Sequence, residues 1–292
     1  METAIKTVVR SYISLTKPGI VMANAISAVS GYLLVMKGEV HLQAFFCLLF
    51  GLSCIIASAC TFNNCFDIEL DQTMDRTKNR PLVTGVIEKK QAFFFASALA
   101  FIGGGFLYPL GSFSIALAFF GLFFYVAIYT FMKYVSPYAT LVGSIPGAVP
   151  PLVGYAAATD SISVDFDYRL FFLVFLLFVF WQMPHFYAIS LFRIEEFQKA
   201  RLPVFPLKKG VEKTKWHMLG FCILFTATVG MLTPYFRGKI GYLALTGGLS
   251  LYWLFQCLTG LWKKDSQTWA RSVFFTSILL VMAFALSTLF FT

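Results

Sequence analysis

No Asp, Glu, Lys or Arg occurs between residues 91 and 132, 170 and 192, 216 and 236, or 272 and 292. A hydrocarbon core about 30 Å thick needs roughly 20 consecutive apolar residues per helix, so each stretch holds one or two membrane spans. The chain as a whole is 58% hydrophobic and 13% charged, with mean hydropathy +0.75. A soluble domain carries about 25% charged residues. Strands of a membrane barrel alternate in and out over about 10 residues, which these runs do not. Lipid also requires backbone groups to be satisfied within a segment, which leaves helices. The expected fold is therefore an all-α integral membrane protein with nine transmembrane helices. They fall at about 18–36, 42–62, 91–110, 113–132, 139–158, 170–190, 217–235, 240–262 and 272–291, in a single membrane domain over 1–292. The polar first 19 residues predict no cleavable signal peptide.

The net charge of +9 suggests nucleic acid only in a soluble chain. Here the basic residues fall in loops, and topology explains them first. With the N-terminus inside, the cytoplasmic face carries 19 Lys and Arg and the other face four, namely Lys37, Arg169, Arg237 and Lys239. That asymmetry predicts a membrane protein with its N-terminus cytoplasmic and its C-terminus outside. Two cytoplasmic loops, 63–90 and 191–216, are long and mixed in charge, which is where function concentrates. Six cysteines, at 47, 54, 60, 65, 222 and 257, lie in or beside apolar segments without a zinc spacing; they read as packing residues.

The fifth span carries Pro146, Pro150 and Pro151 among Gly143, Gly147 and Gly154. Proline removes a donor and kinks a helix, and Gly143 with Gly147 forms a close-packing GxxxG. Two readings stand: a bent, tightly packed helix, or a bend that opens a wall for a bulky substrate.

The chemistry concentrates where the second span meets its loop. Asn63, Asp67, Asp71 and Asp75 are spaced by four. Each such step on an α-helix turns about 40° and rises about 6 Å, so the four share a broad face. Stacked carboxylates repel unless cations lie between them. Oxygen donors on one face suit Mg²⁺, which keeps waters and recruits phosphate oxygens. Arg76, Lys78 and Arg80 come directly after and are placed to meet a diphosphate. Glu69 points some 200° away from Asp67, and Asp75 is the acid furthest from the membrane.

The run Asn63-x-x-x-Asp67-x-x-x-Asp71 resembles the first aspartate-rich motif of the UbiA prenyltransferase superfamily. The longer string NNCFDIELDQTMDRTKNRPL is similar to its haem O synthase (protohaem IX farnesyltransferase) branch. LTKPGI, VGSIPGAVPPLVGY and WQMPHFYAISLFRIEEFQKARLPVFP resemble further segments of that branch in order, from about residue 15 to 215. The resemblance implies nine helices around a central cavity. It implies Mg²⁺-assisted ionisation of farnesyl diphosphate and capture of the allylic cation by a vinyl group of haem B, giving haem O. By it, Asn63, Asp67 and Asp71 are expected to hold metal, with Glu196 a candidate for a second ion. Arg76, Lys78, Arg80, Lys133 and Arg193 are expected to bind diphosphate; Asp67, Asp71 and His185 are the candidate catalytic residues. His185 is also the candidate haem ligand, against the plainer reading of a hydrogen-bonded packing group.

The sequence departs from the superfamily pattern twice. A second aspartate motif is missing where Pro184-His185-Phe186 and Arg193 to Phe197 stand, an absence the haem branch shares. Lys133 is succeeded by Tyr134 where the branch often has Arg. Implied partners are the bilayer, haem B and farnesyl diphosphate, with haem A synthase or terminal oxidase assembly factors as candidates and no nucleic acid. The rival readings are a UbiA-type enzyme acting on a quinone precursor or chlorin, and a transporter. A transporter's charged site would be expected at mid-membrane, whereas these acids cluster at one face.

Overall fold

The computed structural model describes residues 2–37, 39–162 and 165–292; side chains are described at 7–37, 39–160 and 165–292, which leaves out Lys6. Among these residues all regular structure is helical. Eight helices are long and apolar enough to cross a membrane: Pro18–Met36, Leu42–Phe66, Lys89–Leu110, Ser112–Val135, Ala139–Asp160, Tyr168–Phe192, Val211–Tyr235 and Ser266–Phe290. The ninth expected stretch is helical from Lys239 to Gly260 but passes through a π-helical segment, Leu243–Gly247. Thr246, Ser250 and Gln256 turn inward there, which dilutes its apolar character.

The bundle is inside-out in polarity, as a lipid solvent dictates. Phe94, Phe101 and Ile240 stand at least 77% exposed on the outside, while Ser30, Ser58 and Thr130 are fully buried. The first and last spans, Pro18–Met36 and Ser266–Phe290, pack against each other and close the ring.

The fifth span is two helices, Ala139–Gly147 and Val149–Ile162, broken at Ala148. Pro146, Pro150 and Pro151 lack the N–H groups that would bridge the break. Gln182, from Tyr168–Phe192, donates to the Ser144 carbonyl at 3.1 Å, holding the last turn of the first half. The backbones meet closest elsewhere. A Cβ on Gly31 would run into the Pro151 carbonyl, and one on Gly154 into the Ala28 carbonyl. Gly143 instead faces the Tyr129 ring, and Gly147 faces Gln182. The bend thus makes room for a neighbouring helix at Gly154 and for side chains at the GxxxG pair.

The long loops are more helical than the pattern of charge suggests. Leu42–Phe66 continues through Asp67 into a short helix, Ile68–Thr73. The rest of that loop folds over its own apolar cluster of Leu15, Cys65, Leu82, Ile87 and Ala92. The second loop holds Ile194–Lys199 and Phe205–Lys209, and the seventh span starts at Val211 rather than 217. Lys215 is 2% exposed, donating to Glu212 at 3.1 Å and to the Lys263 carbonyl at 2.9 Å.

Candidate functional site

The C-terminal end of Leu42–Phe66 sets the site. Asp67 sits at the kink, with φ −92° and ψ 7°. Its N–H still donates to the Asn63 carbonyl at 3.0 Å, and the Asp71 N–H donates to the Asp67 carbonyl at 2.7 Å. One hydrogen-bonded ladder therefore carries all three residues across the break and keeps them on one side. Asn63, Asp67 and Asp71 are all 5% exposed or less. Ionised groups this deep need partners, and each has one from another part of the chain.

Asn63 receives the Lys17 ammonium on Oδ1 at 2.8 Å and donates to Thr130 Oγ at 3.2 Å. Asp67 pairs through Oδ2 with Lys133 and accepts the Tyr134 hydroxyl on Oδ1 at 2.7 Å. Asp71 Oδ2 pairs with Arg80 at 2.6 Å; the same guanidinium donates to Asn64 Oδ1 at 3.2 Å. Asn64 in turn donates to the Leu15 carbonyl at 3.0 Å, tying the ladder to the N-terminal helix. Desolvation by burial, aided by the nearby Arg80 and Lys133 charges, pushes Lys17 down to about 8. Its backbone is left-handed, φ 51°, immediately before Pro18, a conformation few non-glycine residues hold without support.

Lys133 and Tyr134 reach Asp67 from the fourth span, where a π-helical segment, Phe124–Tyr129, precedes Thr130–Val135. The wider turn rotates the residues beyond it relative to a regular helix. Inside that turn the Tyr125 and Tyr129 rings stack at 5.3 Å, both within electrostatic reach of Asp67. Ring faces of this kind stabilise positive charge.

The expected diphosphate residues divide. Arg80 and Lys133 lie on the carboxylates. Arg76 is exposed; partial desolvation and the neighbouring Arg193 and Arg80 charges lower its pKa, with Glu196 and Asp71 opposing. Arg193 faces Glu196 at 3.6 Å, and Glu196 Oε2 is buried with no hydrogen-bond donor. Arg76, Arg193 and Glu196 thus form a second patch beside the ladder. Lys78 instead pairs with Asp75 at 2.8 Å on an exposed edge, where the bond lowers the Asp75 pKa. Lys17, Asn64, Thr130 and Tyr134 are the partners that reading the acid motif alone missed. LTKPGI held Lys17 but assigned it no role, and Tyr134 entered only as a departure from Arg.

His185 stands apart. Its Nδ1 meets Ser277 Oγ at 2.7 Å, its ring stacks on Trp181 at 4.7 Å, and Phe274 lies at 4.9 Å. Trp181 lies one turn back on the same helix, and Ser277 and Phe274 belong to the last span; none of the three is a carboxylate.

Among the described residues no group of three or more His, Cys, Asp or Glu is assembled. The donor set is two carboxylates and an amide oxygen on one face. That is too few for a cage-bound transition metal, and it fits Mg²⁺, which fills its shell with water and phosphate oxygens. The ammonium and guanidinium groups on those oxygens mark where positive charge belongs.

Residues 24–279 match the UbiA prenyltransferase family. The chain is 42% identical over 278 residues to a protohaem IX farnesyltransferase of Protochlamydia amoebophila, covering 94% of this chain and 96% of that one. Its fold is similar to a structure of digeranylgeranylglyceryl phosphate synthase (TM-score 0.77, 17% identity, 97% and 99% of the two chains covered). It is also similar to a UbiA homologue from Archaeoglobus fulgidus bound to GPP and Mg²⁺ (TM-score 0.68, 15% identity, 96% and 99% covered). A family match over residues 24–279, with 42% identity to a relative over 94% of the chain, means that this chain belongs to the UbiA prenyltransferase family.

Proposed function

We propose that the chain transfers the farnesyl group of farnesyl diphosphate to a vinyl group of haem B, yielding haem O, with Mg²⁺ bound by Asn63, Asp67 and Asp71. The observation that carries this reading is the single buried ladder of the three residues at one membrane face, already matched by cationic side chains. The 42% identity to a protein named as a protohaem IX farnesyltransferase supports haem as acceptor. When bound, Mg²⁺ supplies electrostatic stabilisation of the departing diphosphate.

The chain's own residues do the rest. Arg80 and Lys133 turn from the carboxylates, and Lys17 from the Asn63 amide oxygen, toward diphosphate oxygens, and Arg76 and Arg193 meet its outer end. Negative charge grows on those oxygens as the C1–O bond breaks, so these donors bind the transition state more tightly than the ground state. The Tyr125 and Tyr129 faces hold the allylic cation away from water. The vinyl carbon of haem then bonds to C1. Water adds its hydroxyl to the carbon left positive and releases a proton, leaving a hydroxyethylfarnesyl side chain and free diphosphate.

His185 is assigned to haem. With Nδ1 engaged by Ser277, Nε2 is the ring nitrogen left for iron, an arrangement in which the first bond orients the ligand. Glu196, whose Oε2 faces Arg193 but accepts no hydrogen bond, is assigned to a second ion or to the water shell of the first. The N-terminus is placed in the cytoplasm and the carboxylates at the cytoplasmic face of the inner membrane, where diphosphate esters are soluble.

The test is to incubate purified protein with haem B, farnesyl diphosphate and Mg²⁺ and to seek the hydroxyethylfarnesyl adduct by mass spectrometry. Asp67→Asn and Asp71→Asn are each expected to cut product at least about a hundredfold while the protein stays in the membrane. Normal turnover in both would remove the metal assignment; an adduct on a quinone precursor but none on haem would move the chain to another acceptor.

A further inference from the structure

The face opposite the carboxylates has a recess of its own. It measures about 440 Å³ and lies among the ends of the first, fifth, sixth and seventh spans and the loop that leaves the seventh. Lys37, Arg237 and Lys239 stand at its rim, and Leu34, Leu170 and Phe236 form apolar walls. That face holds only four of the chain's 23 basic residues, and three of them line this one hollow. The fourth, Arg169, is within electrostatic reach of Tyr235, another lining residue. The rule that concentrates cations on the other side predicts few here and does not gather those few.

Among the described residues none of Lys37, Arg237 and Lys239 is in an ion pair. Asp165 and Asp167 also line the recess; among the described residues neither is in an ion pair with the three cations, and Asp167 Oδ1 is engaged at the start of Tyr168–Phe192, accepting from the Arg169 and Leu170 N–H groups at 2.9 and 3.0 Å. Lys37 holds a left-handed backbone, φ 49°, that turns the chain at the recess. Positive charge at the rim, apolar walls and a position at the ends of membrane helices describe a site for a headgroup with a tail.

We propose that this recess binds the phosphate headgroup of an anionic phospholipid in the leaflet opposite the carboxylates. The three cations hold the phosphate, and the apolar walls take the first methylenes of the acyl chains, which glycerol 3-phosphate lacks. The assignment does not depend on the reaction proposed above.

Native mass spectrometry of the full chain, released from detergent with added phosphatidylglycerol, phosphatidylcholine or glycerol 3-phosphate, tests it. Phosphatidylglycerol is expected to occupy one site more tightly than either competitor. Removing one rim cation should weaken it about fivefold, and the triple variant Lys37→Gln, Arg237→Gln, Lys239→Gln by on the order of a hundredfold. Lys37→Arg with Lys239→Arg should keep the affinity. Lys263→Gln with Lys264→Gln, on the other face, should leave it within about twofold. All three rim residues are exposed, so the fold does not rest on them; the single Lys239→Gln gives the same reading if the triple is poorly produced. Unchanged phosphatidylglycerol binding in the rim variants would overturn the proposal. So would phosphatidylcholine or glycerol 3-phosphate binding as tightly as phosphatidylglycerol.

Discussion

Asp67 takes a positive charge on one oxygen and a neutral hydroxyl on the other, from consecutive residues of one distant helix. The two donors do different work. On the proposed metal assignment a bound cation would displace Lys133, whereas Tyr134 would stay and fix the carboxylate's rotamer. Outer-shell donors of this kind are typically worth 10- to 100-fold in metal affinity. Tyr134→Phe is therefore expected to raise the Mg²⁺ concentration for half-maximal turnover about tenfold, with little change in maximal rate at saturating Mg²⁺. An unaltered Mg²⁺ dependence would reduce Tyr134 to packing. His185→Ala should weaken haem binding, read by absorbance titration, without moving the KM for farnesyl diphosphate; unchanged haem affinity would leave only the contact with Ser277. The acids were legible in the sequence because a local repeat of four fixes their face. Lys17, Lys133 and Tyr134 were not placed by that logic, since they arrive from 46, 66 and 67 residues away. No local period encodes such distances.

Two helices in van der Waals contact along their backbones leave no space for a methyl group. Pro18–Met36 and the second half of the fifth span meet in this way at Gly31 and Gly154. Overpacking commonly costs about 1–3 kcal/mol. Gly154→Ala is expected to lower the thermal midpoint of the detergent-solubilised protein by several degrees, while Gly220→Ala, with nothing within 4 Å of the added atom, should not. Equal midpoints for the two variants would show that the pair separates at no cost. Proline and glycine in this span were readable as a bend and close packing. Which glycines met a backbone was not, because helix partners are set by the three-dimensional arrangement. The π-helical segments at Phe124–Tyr129 and Leu243–Gly247 likewise left no mark on hydropathy. One inserted residue changes the direction of side chains without changing their character.

Across the whole bundle, the order of the apolar helices came from charge-free length alone; among the described residues eight are apolar enough to cross, and the ninth falls short because it buries polar side chains. The unequal distribution of Lys and Arg sets the direction of insertion. A periplasm-active reporter fused after Thr292 is expected to be active and one placed in the loop near residue 84 inactive; the opposite pattern would invert the molecule and place the carboxylates outside. The loop between the second and third spans, the turn ahead of the first, and the end of the fourth each send a cation to one short ladder of oxygens. Those bonds join three segments of the chain at the motif. The resting protein accordingly has no need of an ion to become complete: its own ammonium and guanidinium groups act as a placeholder. Insertion and assembly can run to completion in a cell starved of magnesium or prenyl donor, and the finished molecule waits, charge-balanced, for its first turnover.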